Sequence, residues 1–189
     1  GEPKKDITVP LSVAHLPRSM VITKMDPERV FVTVSGRVSM LKDIKDRDVT
    51  AVISLNGSKE GETVFEISKS NVSVPKGIDI VDVKPGTVRV VVDRIIEKKL
   101  KVVPVLDKKW TGRYDVILAS PQHVFAEGPR KVLEGATTVE TLPANGDFRH
   151  VDETVNVGFN TEDLPHVKIR SDSARIVLRR HPGKETHWD

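Results

Sequence analysis

Two glutamates at repeated positions are the side chains of this 189-residue sequence best suited to acid–base chemistry. Glu62 and Glu153 each begin a Glu-Thr-Val triplet close to a turn-forming segment. Carboxylates can act as general acid and base when they lie within reach of one substrate. A catalytic group is rarely repeated in a tandem, however, and a solvated charge is ordinary at the start of a strand. A hydrolase that uses Glu62 or Glu153 is therefore the last of our three functional hypotheses.

The sequence contains no motif for a metal site or for a catalytic nucleophile. Asp43, Asp46 and Asp48 resemble the start of a calcium loop, but Asp48 and Ser54 stand where that loop needs Gly and Glu. The sequence has no cysteine, and its six histidines are scattered without metal-ligand spacing. Phosphate-binding glycine loops and the Gly-x-Ser-x-Gly elbow are missing too. We expect no catalytic residue, no metal site and no cofactor.

The one aromatic cluster consists of Trp110 and Tyr114, which flank Gly112. One interpretation places Tyr114 in a core with Trp110 covering the end of a domain. The other interpretation is a protein contact, because Trp and Tyr are favoured interface anchors. Trp110 and Tyr114 are therefore the predicted partner-contact residues.

The elements that must position these residues are mostly strands. Apolar residues alternate with polar ones over 7–13, 30–34, 49–55 and 88–92, which is the period of half-buried strands. A spacing of three over 38–44 predicts one short helix, with Ser39 as its N-cap. Pro10 lacks an amide donor, so we predict that the first strand is bulged or at a sheet edge.

The same order of features occurs twice along the chain. A nearly constant offset through turn and strand-end residues predicts two copies of one fold unit. We assign residues 1–5 to a linker or remnant, 6–94 and 95–180 to two mainly β domains with one short helix each, and 181–189 to a flexible tail. The matched features are Val9-Pro10 with Val103-Pro104, Gly36 with Gly128, Asn56 with Asn145, Glu62 with Glu153, and Pro75 with Pro165.

The charge of the chain is mixed rather than concentrated. There are 30 basic and 27 acidic residues, for a net charge of +3. Nucleic-acid binders gather Lys and Arg on one face, whereas the two signs alternate here, as in residues 45–48. The pI of about 9.1 nevertheless leaves an RNA-associated β domain, similar to a ribosomal-protein domain, as the alternative function.

The repeated pattern resembles the YbbR domain family, which occurs in bacteria as tandem repeats. The resemblance covers residues 6–180, although the first copy has two extra residues between Pro27 and Gly36, and Ser171-Asp172 replace a proline in the second. In the first copy it is carried by Val9-Pro10-Leu11, Leu16-Pro17, residues 32–36 and residues 85–90. In the second copy it is carried by Val103-Pro104-Val105, Gly112 near Tyr114, residues 120–129 and residues 173–178.

The resemblance implies both a fold and a function. The fold is mostly β with crossed strands, and the family has no known catalytic residues. Several members follow an N-terminal membrane helix and lie outside the cytoplasmic membrane, where some regulate a membrane-bound diadenylate cyclase that makes cyclic di-AMP. By resemblance we expect a non-enzymatic, protein-binding module of a membrane-anchored regulator. Its folded part would be extracytoplasmic and would bind neither nucleic acid nor a small molecule.

Overall fold

A computed structural model describes residues 2–183 of the chain. They fold as two compact units, with the boundary between Arg94 and Ile95. Both units are mainly β, and each contains one short α-helix, as the sequence predicts. No helix within the described residues combines the length and the apolar character that a membrane crossing requires.

The first unit begins with a long strand and ends with another. Two short 3₁₀ turns, Asp46–Asp48 and Lys69–Asn71, flank the middle strands. In chain order its elements are β1 (Lys4–Ala14), β2 (Met20–Asp26), β3 (Arg29–Ser35), α1 (Val38–Asp43), β4 (Thr50–Ser54), β5 (Gly61–Glu66), β6 (Val72–Ser73), β7 (Asp79–Lys84) and the first part of β8 (Thr87–Val103).

Strand β1 crosses from one half of its sheet to the other. Residues 4–10 pair antiparallel with β3, and residues 11–14 pair parallel with β4. The resulting strand order is β6-β4-β1-β3-β7. A second, smaller sheet forms where β2 and β5 both pair antiparallel with residues 87–94 of β8.

The second unit repeats this plan. Residues 95–101 of β8 pair antiparallel with β10, and residues 101–103 pair parallel with β11. The larger sheet has the order β13-β11-β8-β10-β14, and the smaller one has the order β12-β15-β9. The remaining elements are β9 (Tyr114–Ser120), β10 (His123–Pro129), α2 (Arg130–Glu134), β11 (Thr138–Thr141), β12 (Asp152–Val157), β13 (Phe159–Asn160), β14 (Lys168–Ile169) and β15 (Ala174–Arg180).

The inward residues of the alternating strands form the cores. The first unit has one continuous cluster, which includes Val9, Val32 and Ile53. The second unit has two clusters, an aliphatic one around Leu100 and an aromatic one around Trp110. Burying these aliphatic side chains contributes about 1.5–3 kcal/mol each to folding.

Two local predictions were wrong. Strand β1 is central rather than at an edge, and Pro10 lies where the strand changes partner, so its missing amide donor breaks no ladder. The next residue, Leu11, donates its backbone N–H to the Glu28 carbonyl at 2.8 Å. Helix α1 begins at Val38, its N-cap position is Arg37, and no side chain caps it, so Ser39 is not the cap.

The strand register also separates several of the matched pairs, beginning with Val9-Pro10 and Val103-Pro104. Val9 lies opposite Val30 on β3, and Leu100 lies opposite Val124 on β10, so Leu100 is the counterpart of Val9. The Val103-Pro104 dipeptide therefore lies three residues beyond the position that matches Val9-Pro10. The two dipeptides are similar in sequence but not in place.

The ends of the chain differ from the predicted domain limits. Strand β1 begins at Lys4, inside the segment assigned to a linker. At the other end, the backbone N–H of His181 donates to the Arg113 carbonyl at 2.8 Å, so the predicted flexible tail starts with a bonded residue. The rest of that tail, from residue 184, lies outside the described residues.

Candidate functional site

The repeated glutamates do not occupy matched positions in the fold. Glu62 lies opposite Val91 on the closing strand of the first unit, and Glu153 lies opposite Leu178 on that of the second. Since Val177 is the counterpart of Val91, the residue that matches Glu62 is Thr154. A shift of one residue along a strand moves a side chain to the other face of the sheet.

The two carboxylates accordingly have different local roles. Glu62 forms an exposed ion pair with Arg89, with 3.1 Å between Oε1 and Nε. Glu153 turns back along the chain, and its Oε1 accepts the backbone N–H groups of His150 at 2.9 Å and Arg149 at 3.3 Å. Each acid therefore has a partner that gives it a structural role, and the two acids occupy different positions in their units.

Of the three aspartates that resemble the start of a calcium loop, Asp48 bonds to the backbone. An oxygen of Asp48 accepts the N–H of Lys45 at 2.9 Å, which closes the 3₁₀ turn that follows the helix. Over residues 2–183, no group of three His, Cys, Asp or Glu side chains is arranged to hold a metal ion.

Two of the histidines have polar partners on the surface. Nδ1 of His15 is 3.2 Å from the Ser54 hydroxyl, and Nδ1 of His181 is 2.9 Å from the Asp115 carboxylate. His187 lies outside the described residues. Neither described contact places a base beside a nucleophile in a pocket.

The prediction that Trp110 and Tyr114 contact a partner is wrong, because both rings are buried. Their exposed fractions are 4% and 3%. The rings meet edge to face with centroids 5.5 Å apart, and Phe148 packs against both at 5.0 and 5.5 Å. Aromatic pairs at these distances stabilise a core beyond the area that they bury.

Hydrogen bonds complete this aromatic cluster. The indole N–H of Trp110 donates to Oδ1 of Asn145 at 2.8 Å, and the hydroxyl of Tyr114 donates to the His150 carbonyl at 2.6 Å. The cations of Lys109 and Arg113 lie 5.0 and 4.8 Å from the indole ring. The cluster thus fixes the loop between β11 and β12 and leaves no aromatic anchor exposed.

The sequence reasoning missed a different pair of aromatic side chains. Phe31 on β3 and Phe125 on β10 are exposed, at 58% and 49%. They occupy the same position in the two units, since both strands begin after a matched proline, Pro27 or Pro121, and both lie next to the crossing strand. The signal was present in the sequence, because each Phe falls on the polar phase of its strand.

Charged groups border both exposed rings. Lys84 lies opposite Phe31 and is 3.6 Å from the Asp82 carboxylate. In the second unit Arg170 donates its backbone N–H to the Phe125 carbonyl, and its guanidinium is 2.7 Å from Glu97. Each unit therefore presents one Phe beside a neutralised cation on the outer face of its larger sheet.

Several other arginines also form ion pairs with acids. Arg179 and Asp152 form an ion pair at 2.8 Å. The side-chain hydrogen bond from Arg179 to Asp152, helped by their Coulombic attraction, raises the pKa of the guanidinium above its ordinary value. Pairs of this kind disperse the positive charge and do not gather it into one stripe.

Together these features define a class of protein: a tandem of small β units that offers surfaces and lacks a cluster of reactive groups in the part of the chain described. The family follows from the comparisons. Residues 9–92 match the family model described as YbbR-like protein. The first unit is therefore a YbbR-like domain, and the resemblance noted in the sequence is confirmed for that unit.

Three solved structures are similar to this chain. A YbbR-like protein from Streptococcus pneumoniae has 14% sequence identity, with a TM-score of 0.58 over 96% of this chain and 98% of that one, which shows a shared fold. A YbbR-like domain from Listeria monocytogenes is 27% identical over 49% of this chain and 94% of that one, with a TM-score of 0.41. A YbbR family protein from Desulfitobacterium hafniense is 23% identical over 48% and 96%, also at 0.41. No curated protein matches the chain.

Proposed function

We propose that this chain is the protein-binding part of a regulator and has no enzymatic activity of its own. The observation that carries the proposal is the exposed phenylalanine at the same position of both units, Phe31 and Phe125. Two outward aromatic rings at matched places on the larger sheets are more than the scattered surface apolar residues that need no explanation. Aromatic side chains dominate the energy of protein interfaces.

The surroundings of the two rings fit a protein partner. Each ring projects from a strand that is hydrogen-bonded on both sides, so little conformational entropy remains to be lost on binding. Lys84 and Arg170 provide a polar border, and their carboxylate partners limit its net charge. An apolar centre with a polar rim is the usual anatomy of an interface.

The partner we propose is a membrane-bound diadenylate cyclase, so that the protein would regulate cyclic di-AMP synthesis. Support for this partner comes from the YbbR family resemblance, which also leads us to propose a membrane-anchored protein with these units outside the cytoplasmic membrane. The absence of enzymatic activity is proposed because the glutamates first considered for catalysis have structural partners.

The test is co-expression of the protein with the membrane-bound diadenylate cyclase of its own genome. We expect the cyclase to co-purify with the protein and the cellular cyclic di-AMP level to change when the protein is present. Replacing Phe31 and Phe125 by Ser should reduce co-purification about tenfold, the effect of losing an interface anchor.

A matched control is Val64→Ser, because Val64 is similarly exposed, at 56%, but lies on the smaller sheet. This variant should co-purify like the wild type. If the double Phe variant binds as well as the wild type, the larger sheets are not the contact surface. If no cyclase co-purifies with the wild type, the proposed partner is wrong.

A further inference from the structure

Strands β2 and β9 are edge strands at the same place in the two units. Each pairs on one side with the closing strand of its unit and contains a bulge, at Thr23 in β2 and at Ile117 in β9. Apart from an isolated bridge between Tyr114 and Thr111, no strand within residues 2–183 pairs with the other side of β9. An open edge of this kind can pair with another chain unless side chains prevent it.

The two edges differ in those protective side chains. The first unit carries Thr23 and Lys24 at the bulge, and a lysine on an edge opposes strand addition. The second unit carries Ile117 and Leu118 at the matching positions, exposed at 54% and 40%. The protective polar residues of β2 have thus been replaced by apolar ones in β9.

A second difference concerns the arginine next to each edge. Arg89 in the first unit is opposite Asp26 and forms an ion pair with Glu62. Its counterpart, Arg175, is opposite Ser120 and Asn156, and no carboxylate within the described residues pairs with its guanidinium. The second unit therefore combines an apolar edge, protected only by its bulge, with a cation that has no carboxylate partner within residues 2–183.

We propose that the free edge of β9 pairs antiparallel with β9 of a second copy of this chain. With the two-fold axis between Ile117 and Leu118, Leu118 meets Ile117 of the other copy, and Ser120 meets its Asp115. Opposed residues of an antiparallel pair share a face. Asp115 of the second copy would then lie two strands away from Arg175, on the far side of Ser120 and on the same face of the sheet. Across that distance its carboxylate would face Arg175, whereas Glu62 lies on the strand next to Arg89 in the first unit.

The match in charge favours a second copy over an unrelated apolar strand, although the Asp115 carboxylate that faces Arg175 also contacts Nδ1 of His181 in its own chain at 2.9 Å. Both Asp115 and Arg175 lie on the exposed face of the smaller sheet, and a two-fold axis uses each pair twice. The contact involves one short bulged strand per copy, so we expect it to bury less than the roughly 1,200–2,000 Å² of a standard stable interface. Weak, concentration-dependent association follows.

Sedimentation velocity over micromolar to millimolar protein tests the proposal, which does not depend on the proposed function. The wild type should shift from the 21.0 kDa monomer towards twice that mass as concentration rises. The variant Ile117→Thr/Leu118→Lys gives β9 the residues of β2, and its association should be weaker by about tenfold or more. Val64→Ser is the control, an exposed apolar residue elsewhere, and should associate like the wild type.

A charge reversal distinguishes this pairing of β9 strands from nonspecific hydrophobic association. Arg175→Asp should weaken the dimer, and adding Asp115→Arg should restore it, because the two reversed charges meet again across the axis. Circular dichroism checks that each variant is folded. A wild type that stays monomeric at all concentrations overturns the proposal. So does a dimer that Ile117→Thr/Leu118→Lys leaves unchanged, since it would form through another surface.

Discussion

The two units have one topology but different cores. Met20 of the first unit lies opposite Arg94 and is half-buried beside an otherwise aliphatic core. Tyr114 occupies the matching position opposite Arg180 and is fully enclosed by Trp110 and Phe148. The same strand order therefore accommodates either one aliphatic cluster or an aliphatic cluster with a separate aromatic one.

The length of one loop explains the difference. Residues 55–60 join β4 to β5 in the first unit, whereas residues 142–151 join β11 to β12 in the second. The longer loop carries Phe148 and Asn145, which pack against or bond to Trp110. A longer loop costs more conformational entropy, and the aromatic contacts offset that cost. The comparison teaches that the strands define this fold, while each unit closes its end in its own way.

The largest predicted effect is that of Trp110→Ala, which removes the centre of the aromatic cluster. Removing a fully buried indole should lower the free energy of unfolding of the second unit by about 3–5 kcal/mol. Hydrogen–deuterium exchange of the whole chain, followed unit by unit, should show lost protection in residues 95–183 and unchanged protection in 2–94. Met20→Ala is the matched control and should have a smaller effect, confined to the first unit. Equal loss in both units would mean that their cores do not unfold separately.

We predict an intermediate effect on stability at two glycines, each of which lies two residues before the short helix of its unit. A Cβ at Gly128 would lie 3.0 Å from Cα of Val167 and 3.1 Å from the His166 carbonyl, which cannot move without the backbone. A Cβ at Gly36 would lie 2.9 Å from Cδ1 of Ile78, the flexible end of a side chain. Gly128→Ala should therefore destabilise by about 1–3 kcal/mol.

In Gly36→Ala the Ile78 side chain can move aside. The lower conformational entropy of the unfolded chain stabilises the variant by about 0.4–1 kcal/mol. We expect a net change near zero. Urea denaturation measures both variants. Similar midpoints for the two would show that Val167 can move aside as easily as Ile78, contrary to the contacts described.

The smallest expected effect is the difference in stability loss when each of the two repeated glutamates is replaced by Ala. Glu153→Ala removes the acceptor for two exposed backbone N–H groups and should cost about 0.5–1.5 kcal/mol. Glu62→Ala removes an exposed ion pair, which is worth about 0–1 kcal/mol. Amide exchange of Arg149 and His150 should rise only in the Glu153 variant. Loss of a hydrolytic activity in either variant, with its fold intact, would instead revive the hydrolase hypothesis.

Much of the fold could be predicted from the sequence. Alternation of Val and Ile marked β1, β3 and β4, and the repeated turns indicated two copies, because both signals are local and depend on strand period and turn residues. The resemblance to YbbR domains rests on the same local features.

Register and burial were not predictable in this way. Glu62 and Glu153 have the same sequence context, but one residue of difference in strand pairing separates their faces. Trp110 could have been at a surface or in a core, and its burial depends on Phe148, which comes from a distant loop. The exposed rings of Phe31 and Phe125 could have been found by noting apolar residues on the polar phase.

Because β8 runs through both units without a loop, it affects how the chain can be cleaved by proteases and how it could have been duplicated. Arg94 is bonded into one ladder and Ile95, the next residue, into another, so no loop lies between the units for a protease to enter. If the two units arose by gene duplication, the copies were joined so that the alternation of inward and outward side chains continues through β8. Inserting or deleting a single residue there would move the buried side chains of one half of β8 to the exposed face of its sheet.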